Sequence, residues 1–242
     1  MRYWLAVSTD QSSSDPTLPD SPTTPRLHPI RVATLVTLGI LLLGLAFAAD
    51  APVREFVKRE GTTGQINLGK FVSKYSEPQW LFGIGAMGWL ISRFLQKPDW
   101  QRRWLIILAA TAIAGIAVNI PRSITGRARP NNKIEQGWFG PKHNDQWLIG
   151  RNPYNSFPSG HTTTAAGFAF ATFFCFRRFG WLAIPGAAWV GWARIWVSAH
   201  HFSDVAVGMA FGAVLAWCVW RWFLNHGWVE EKCRNTPSVK VS

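Results

Sequence analysis

The sequence lacks the features of a disulfide-rich secreted domain, a zinc protein or a nucleic-acid binder. Its 242 residues include only 3 cysteines, and their spacing suggests neither a disulfide framework nor a metal knuckle. Acidic residues are also scarce, because 13 Asp and Glu stand against 25 Lys and Arg and leave a formal net charge of +12. The basic residues fall mostly between apolar runs and form no long tract. This distribution favours a membrane over nucleic acid as the partner.

What the sequence does have is long apolar segments, with 48% hydrophobic residues and 15 tryptophans. About 20 apolar residues are enough to cross a bilayer as a helix, and tryptophans near the segment ends are typical of the headgroup regions. Because lipid offers no partners to free backbone groups, we predict an all-α, integral membrane bundle of six helices. The six segments are 32–49, 80–95, 104–120, 160–176, 181–199 and 205–224.

Both ends of the chain are polar. Residues 1–29 are rich in proline and serine, and we expect a disordered tail there. Residues 30–225 then form the membrane domain, and residues 226–242 form a polar C-terminal tail. Ala46-Phe47-Ala48 resembles the end of a cleaved signal peptide, but the polar stretch before the apolar run is longer than a usual n-region. An uncleaved anchor is therefore favoured.

Two segments between the apolar runs carry patterns of their own. Residues 50–78 are charged but place apolar residues at helical spacing, as in Val53 and Val57. This pattern indicates short helices lying at the membrane interface, and a solvated loop is the alternative. Residues 131–157 mix aromatic with polar residues, and we expect a rim or lid there rather than a passive connector.

Three clusters of basic, polar and titratable residues stand where apolar segments end. They are residues 122–130, the run Phe157-Pro158-Ser159-Gly160-His161, and residues 194–204. In any six-span arrangement all three lie on one side of the membrane. A proline, a serine suited to helix capping and a glycine at a helix start can turn backbone N–H groups toward an anion. We infer that the three clusters close on one phosphate site.

The arginines of these clusters suit such an anion. Arg122 and Arg129 lie on a segment leaving the membrane, and Arg194 lies late in an apolar span, where a charge usually faces a partner or a water-filled cavity. Guanidinium groups bind phosphate oxygens in pairs and stay charged. Each arginine alone could be a snorkelling or positive-inside residue. An anion held by all three would satisfy them together.

Two histidines and a carboxylate supply possible chemistry. His200 and Asp204 are spaced i, i+4, so on a helical turn the carboxylate can hold one ring nitrogen and leave the other free. His161 begins a different helix and can protonate a leaving group. His201 lies i, i+3 from Asp204, and local geometry does not choose between it and His200. Because no carboxylate pair suited to Mg²⁺ is visible nearby, we expect neither a metal nor a cofactor.

These clusters closely resemble the three-part signature of the type 2 phosphatidic acid phosphatase superfamily, which also includes haloperoxidases and glucose 6-phosphatase. The family's first motif is a lysine, six residues and Arg-Pro; here Arg122 replaces the lysine and Arg129-Pro130 match. The second motif, Pro-Ser-Gly-His, matches unchanged at 158–161. The third is Ser-Arg, five residues, His, three residues and Asp, with Ala193 here in place of the serine. Its other positions are Arg194, His200 and Asp204.

The resemblance implies a metal-independent membrane phosphatase that removes a terminal phosphate from a lipid phosphate or diphosphate through a phosphohistidine. It selects His200 rather than His201 as the nucleophile, with Asp204 orienting it and His161 protonating the leaving group. The implied phosphate-binding residues are Arg122, Arg129, Ser159, Gly160 and Arg194.

The identity of the lipid stays open. Undecaprenyl diphosphate phosphatase and lipid A phosphatase are both possible specific activities. Two other classes are less favoured: a soluble haloperoxidase conflicts with six apolar spans, and a non-catalytic anion-binding membrane protein has no use for His200 paired with Asp204.

Charge predicts the orientation only weakly. Thirteen of the 25 basic residues lie on the side of the termini and twelve on the other. If part of the second set binds a ligand, the remaining bias keeps the termini in the cytoplasm. We therefore expect a bacterial inner-membrane protein with its active site facing the periplasm or outside. The expected partners are the bilayer and a lipid phosphate, without nucleic acid; nothing predicts the oligomeric state.

Overall fold

The computed structural model describes residues 29–131 and 134–229, and nearly all of its regular structure is helical. The predicted tail at residues 1–29, apart from its last residue, and most of the tail at 226–242 lie outside the described residues. The helices, in chain order, are α1 (Pro29–Ala48), α2 (Asp50–Glu60), α3 (Thr63–Tyr75), α4 (Pro78–Phe94), α5 (Pro98–Ala117), α6 (Asn119–Thr125), α7 (Gly160–Cys175), α8 (Ala183–Trp196) and α9 (Phe202–Asn225). Strands β1 (Lys142–His143) and β2 (Gln146–Trp147) form an antiparallel hairpin between α6 and α7, and short 3₁₀ helices cover Asn152–Tyr154 and Gly180–Leu182.

Each of the six predicted spans contains a helix, namely α1, α4, α5, α7, α8 and α9. Among the described residues, three helical stretches are long and apolar enough to cross a membrane: Val36–Glu60, Pro98–Thr125 and Phe202–Asn225. Helices α4, α7 and α8 are shorter, at 17, 16 and 14 residues.

The chain divides into two compact units within α1. Of the described residues, those from 29 to 39 belong to the first unit and those between 40 and 229 belong to the second. All three clusters named above belong to the second unit.

The charged segment 50–78 forms helices rather than a solvated loop. A reciprocal capping box fixes the start of α3, because the Gln65 N–H donates to Thr62 Oγ1 at 3.3 Å and the Thr62 N–H donates to Gln65 Oε1 at 3.0 Å. Helix α3 packs against α8, and α2 packs against both α8 and α9. The helices predicted for this segment are therefore confirmed, and they lie beside two helices that carry site residues.

Helix α7 packs against α5, α8 and α9, and small side chains make this possible. Its buried residues include Ala166 and Gly167, while Gly208 and Gly212 form a one-turn small-residue pair on α9, a pattern that lets helix backbones approach closely. A Cβ atom at Gly208 would lie 2.9 Å from the carbonyl oxygen of Ser159. The close approach holds the first turns of α7 and α9 together, and both turns carry site residues.

The end of α8 differs from the prediction. The helix ends at Trp196 rather than at residue 199, Ser198 has a positive φ of 52°, and α9 takes His201 as its N-cap residue. His200 therefore lies in the turn between two helices. The expectation that His200 and Asp204 share one helical turn is wrong, because α9 begins only after its N-cap residue His201.

Replacing Gly208 with alanine should destabilise the protein. The new methyl group meets the backbone of Ser159, which cannot move away as a flexible side chain would, and overpacking of this kind costs about 1–3 kcal/mol. We expect Gly208→Ala to lower the melting temperature in detergent. Gly186→Ala on α8 is the matched control, because among the described residues no atom outside the adjoining helix backbone lies within 4 Å of a Cβ there. Equal melting temperatures for the two variants would contradict this packing.

Candidate active site

The three clusters meet at one end of the helical bundle. Arg122 lies in α6, Arg129 follows the left-handed Gly126 (φ 57°) that ends this helix, and His161 lies in the first turn of α7. Arg194 is in the last turn of α8. The ends of α6, α7 and α8 therefore bring the three clusters together on one side of the membrane domain, as predicted.

Backbone hydrogen bonds tie the clusters to each other. The Ser156 N–H donates to the Arg127 carbonyl at 3.1 Å, which joins the segment before α7 to the segment after α6. The Ser159 N–H donates to the Asp204 carbonyl at 3.0 Å, which joins the start of α7 to the start of α9. Ser159 occupies the N-cap position of α7 without a side-chain capping bond. Instead, its buried hydroxyl accepts a hydrogen bond from Thr162 Oγ1 at 2.9 Å.

Two arginines of the first cluster are held by a residue between the clusters. Arg122 Nε donates to the Asn155 carbonyl at 3.2 Å, and Arg129 Nε donates to Asn155 Oδ1 at 3.1 Å. A Cβ atom at Gly160 would lie 2.9 Å from Arg122 Nη1, so glycine allows this guanidinium to approach the start of α7. Asn155 thus fixes both side chains by their Nε atoms, and Arg122 Nη1 also donates to Asn119 Oδ1 at 3.5 Å.

The three site arginines crowd positive charge into a small space. The pKa of Arg129 is lowered to about 10, first by burial and then by the positive charges of Arg122 and Arg194. Among the described residues, none of the three forms a salt bridge. Arg194 Nε is buried and has no hydrogen-bond partner within the part of the chain that the structure describes. Buried donors and charges are costly without partners, and an anion with several acceptor oxygens would supply them.

Over residues 29–131 and 134–229, no group of three or more His, Cys, Asp and Glu side chains is arranged to hold a metal ion.

His200 is buried, with 2% of its surface exposed, and its ring is fixed by a backbone carbonyl. Nδ1 lies 2.8 Å from the Ser156 carbonyl, whereas the Asp204 carboxylate is 3.7 Å away. A carbonyl can only accept, so Nδ1 carries the proton and Nε2 keeps its lone pair. As expected, one ring nitrogen of His200 is fixed by a hydrogen bond and the other keeps its lone pair. The partner of the fixed nitrogen is the Ser156 carbonyl rather than Asp204.

His201 has both ring nitrogens engaged in structural hydrogen bonds. Nε2 lies 3.2 Å from the Ala128 carbonyl, and the side chain accepts the backbone N–H of Asp204 as the N-cap of α9. His201 therefore lies at the N-cap of α9, whereas His200 lies one residue before it.

Asp204 is fully buried and is satisfied by hydrogen bonds from three elements. Arg127 Nη1 donates to Oδ1 at 2.5 Å, Ser156 Oγ donates to Oδ2 at 2.5 Å, and the His201 N–H donates to Oδ2 at 2.8 Å. The carboxylate is thus rigid and stays within Coulombic reach of His200. His161 follows Gly160 in the first turn of α7, and Gly160 lies against Arg122, so the second histidine lies beside the first cluster.

Sequence reasoning missed several residues that hold this arrangement. Asn155 and Ser156 immediately precede the second cluster, and Arg127 lies inside the first, but only their position beside the motifs pointed to them. Asp50, which contacts Arg127, lies far away in the sequence, and no sequence signal indicated it.

Comparisons with known proteins agree with this architecture. A family model described as "PAP2 superfamily" matches residues 103–228. The lipid A 1-phosphatases of Rhizobium johnstonii and Rhizobium etli are 28% and 29% identical to this chain, covering 74% and 73% of it and 74% and 78% of their own lengths. A transmembrane PAP2 type phosphatidylglycerolphosphate phosphatase from Bacillus subtilis superposes with a TM-score of 0.53 at 17% identity, covering 82% of this chain and 98% of its own. The predicted helical membrane fold is confirmed.

Removing the Asn155 side chain should weaken anion binding. Asn155→Ala frees Arg129 while keeping the backbone bond to Arg122, and hydrogen bonds to charged groups are worth about 1.5–3 kcal/mol. We expect the affinity for inorganic phosphate, measured by calorimetry in detergent, to fall roughly tenfold. Asn152→Ala, an exposed change nearby, should leave affinity unchanged. Unchanged binding by Asn155→Ala would show that Arg129 does not depend on this bond.

The protonation state of His200 can be measured directly. This residue lies outside the membrane-spanning helices, and burial lowers its pKa to about 4 even though Asp204 opposes the shift. Since protonation is disfavoured, the ring should be neutral at pH 6, with its proton on Nδ1. Nitrogen NMR of histidine-labelled protein measures both the charge of the ring and the position of its proton. The His200 signals are identified by their loss in His200→Gln. A cationic ring at pH 6, or a proton on Nε2, would contradict this assignment.

Proposed function

Because the chain belongs to the PAP2 superfamily and is a lipid phosphate phosphatase, we propose that it removes a terminal phosphate from a membrane lipid without a metal ion, through a phosphohistidine at His200. This proposal is supported by the meeting of the chain segments that carry the three arginines, His161 and His200 at one end of the bundle. Among the described residues, none of these arginines forms a salt bridge. Family membership also favours an enzyme over the non-catalytic anion-binding protein considered from the sequence.

The arrangement supports a two-step displacement. Arg122, Arg129 and Arg194 bind the phosphoryl oxygens, and the Nε2 lone pair of His200 attacks phosphorus as the bond to the lipid oxygen breaks. His161 gives its proton to that oxygen, and the lipid alcohol leaves. Water then attacks the phosphohistidine, with His161 taking the proton, and inorganic phosphate departs. Phosphoryl transfer depends mainly on positioning and charge stabilisation, which the arginines supply.

The hydrogen bond from Nδ1 to the Ser156 carbonyl suits this role for His200. When Nε2 bonds to phosphorus, the ring becomes cationic while Nδ1 keeps its proton. The Asp204 carboxylate, 3.7 Å from Nδ1, then faces a positive charge that it stabilises electrostatically. Ser156 thus orients the ring and Asp204 stabilises the charge that forms on it.

We propose a lipid A-type sugar phosphate as the substrate. Two relatives of this stated activity align over about three quarters of the chain. Residues 140–151, between α6 and α7, contain the hairpin and the exposed aromatic side chain of Trp147, which is 63% exposed. Such a rim offers a surface for a saccharide headgroup while acyl chains remain in the bilayer. We also propose an inner-membrane location with the site facing the periplasm, which rests on the distribution of basic residues along the sequence.

The catalytic assignment is tested with purified protein in detergent and EDTA. We expect the wild type to release phosphate and to form an acid-labile, alkali-stable phosphoprotein, whereas His200→Ala should do neither. His201→Ala is the matched control: it should lose a helix cap worth about 0.5–2 kcal/mol but retain turnover. Phosphate release that survives His200→Ala, or that stops when EDTA is added, would refute this mechanism.

The lipid is tested in the same assay with lipid A, phosphatidate, phosphatidylglycerol phosphate and undecaprenyl diphosphate. We expect the highest kcat/KM with lipid A, and mass spectrometry of the product should show loss of the 1-phosphate. A higher kcat/KM with another member of the panel would keep the phosphatase mechanism and reject lipid A as the substrate.

A further inference from the structure

A buried chain of ion pairs lies behind the site and uses a residue outside all three motifs. Arg127 Nη2 contacts Asp50 Oδ2 at 2.5 Å, and Arg127 Nη1 contacts Asp204 Oδ1 at 2.5 Å. The side chains of Asp50, Arg127 and Asp204 are 13%, 9% and 0% exposed. One guanidinium is therefore shared by two carboxylates, one of which faces His200.

Asp50 also holds the beginning of α9. Its Oδ1 accepts the Ser203 N–H at 2.8 Å, and its Oδ2 accepts the Ser203 hydroxyl at 2.7 Å. Ser203 Oγ in turn accepts a hydrogen bond from Arg127 Nη1 at 2.7 Å. Because Asp50 is the first residue of α2, this carboxylate connects α2 to the helix turn that carries Asp204. It accepts a further N–H group at the start of α9, next to the cap residue His201.

Arg127 differs from the three arginines that face the phosphate site. Its guanidinium lies over the ring of Trp138 at 4.7 Å and over the rings of Phe47 and Phe157 at 5.5 and 6.0 Å. Such cation–π contacts are strongest where water is excluded. With its nitrogens bonded to carboxylates and its faces covered by rings, Arg127 is part of the support of the site and not a ligand for substrate.

The net charge of the three ion-paired side chains, Asp50, Arg127 and Asp204, matters for the reaction. If Arg127 were paired with Asp204 alone, the pair would be neutral and would do little for a cation forming on His200. Because Asp50 shares the guanidinium, the three groups together carry one net negative charge next to the histidine. Breaking a buried pair is costly, so this charge is fixed in place before substrate binds.

Resting on the proposed phosphohistidine mechanism, we propose that Asp50 is a positioning residue for the reaction. Acting through Arg127 and Ser203, it holds Asp204 in place and keeps a negative charge beside His200. This charge becomes useful only when phosphorus bonds to Nε2, so it stabilises the transition state and the intermediate rather than the bound substrate.

The test is Asp50→Asn, which keeps an acceptor for Ser203 while removing the charge. We expect kcat to fall about tenfold or more while KM changes less than about twofold, because the lost interaction is made only in the transition state. Glu55→Gln is the matched control, since it removes an exposed carboxylate from the same helix and should leave both constants unchanged. Loss of kcat in both variants, or a change confined to KM, would overturn the proposal.

A second measurement separates this proposal from the identity of the lipid substrate. Orthovanadate can bond to a histidine as a five-coordinate analogue of the transition state, whereas inorganic phosphate resembles the ground state. We expect Asp50→Asn to bind vanadate about tenfold more weakly than the wild type and phosphate equally well. If Asp50→Asn binds both vanadate and phosphate as tightly as the wild type does, the positioning role is overturned even if the wild type is active. A wild type that neither binds vanadate nor releases phosphate would instead refute the proposed function.

The route through Arg127 is tested by a double variant. In an Arg127→Gln background, the change Asp50→Asn should cause little further loss of kcat, because residues that act through one another are not additive. If Arg127→Gln does not fold, Asp50→Glu serves instead: it keeps the charge, and partial rescue of kcat relative to Asp50→Asn is expected. Fully additive losses, or no rescue by glutamate, would contradict the relay.

Discussion

The site depends on holding three like charges close together in a partly buried space. Arg122, Arg129 and Arg194 repel one another, and among the described residues none has a carboxylate partner at salt-bridge distance. Such an arrangement persists only if the surrounding structure fixes the side chains more strongly than repulsion separates them. Asn155 does this for two of them, whereas Arg194 Nε has no hydrogen-bond partner among the described residues. The molecule therefore keeps unsatisfied donors that a phosphoryl group can use.

Close helix packing supplies the required rigidity. The ends of α6, α7, α8 and α9 come together because α7 approaches α9 over small residues, with Gly208 lying against the Ser159 carbonyl. The Ser159 N–H then bonds to the Asp204 carbonyl, so the second and third clusters are joined through their backbones. Behind them, Asp50 and Arg127 fix the Asp204 carboxylate from α2. The arginines of the phosphate site thus place positive charge on one side of His200. On the other side, Asp50, Arg127 and Asp204 together carry one net negative charge.

The sequence predicted those parts of the site that depend on local pattern. Apolar length identified the membrane helices, and motif spacing brought His161, His200 and the arginines to one end of the bundle. The helices of segment 50–78 followed from apolar spacing. The partners that hold the site were not predictable in the same way, because the contact of Asp50 with Ser203 spans 153 positions and depends on how α2 packs. The sequence indicated Asp204 rather than Ser156 as the Nδ1 partner of His200, because the early end of α8 at Trp196 was not predicted.

The central claim is that three separate helix ends present His200, His161 and the arginines to a single phosphoryl group. An experimental structure of the protein with orthovanadate bound in detergent or nanodiscs tests this claim most directly. The account predicts vanadium bonded to Nε2 of His200, with its oxygens contacting Arg122, Arg129 and Arg194 and with His161 opposite the bond to His200. Vanadate bound elsewhere, or bound to the arginines while His200 faces away from it, would contradict the account.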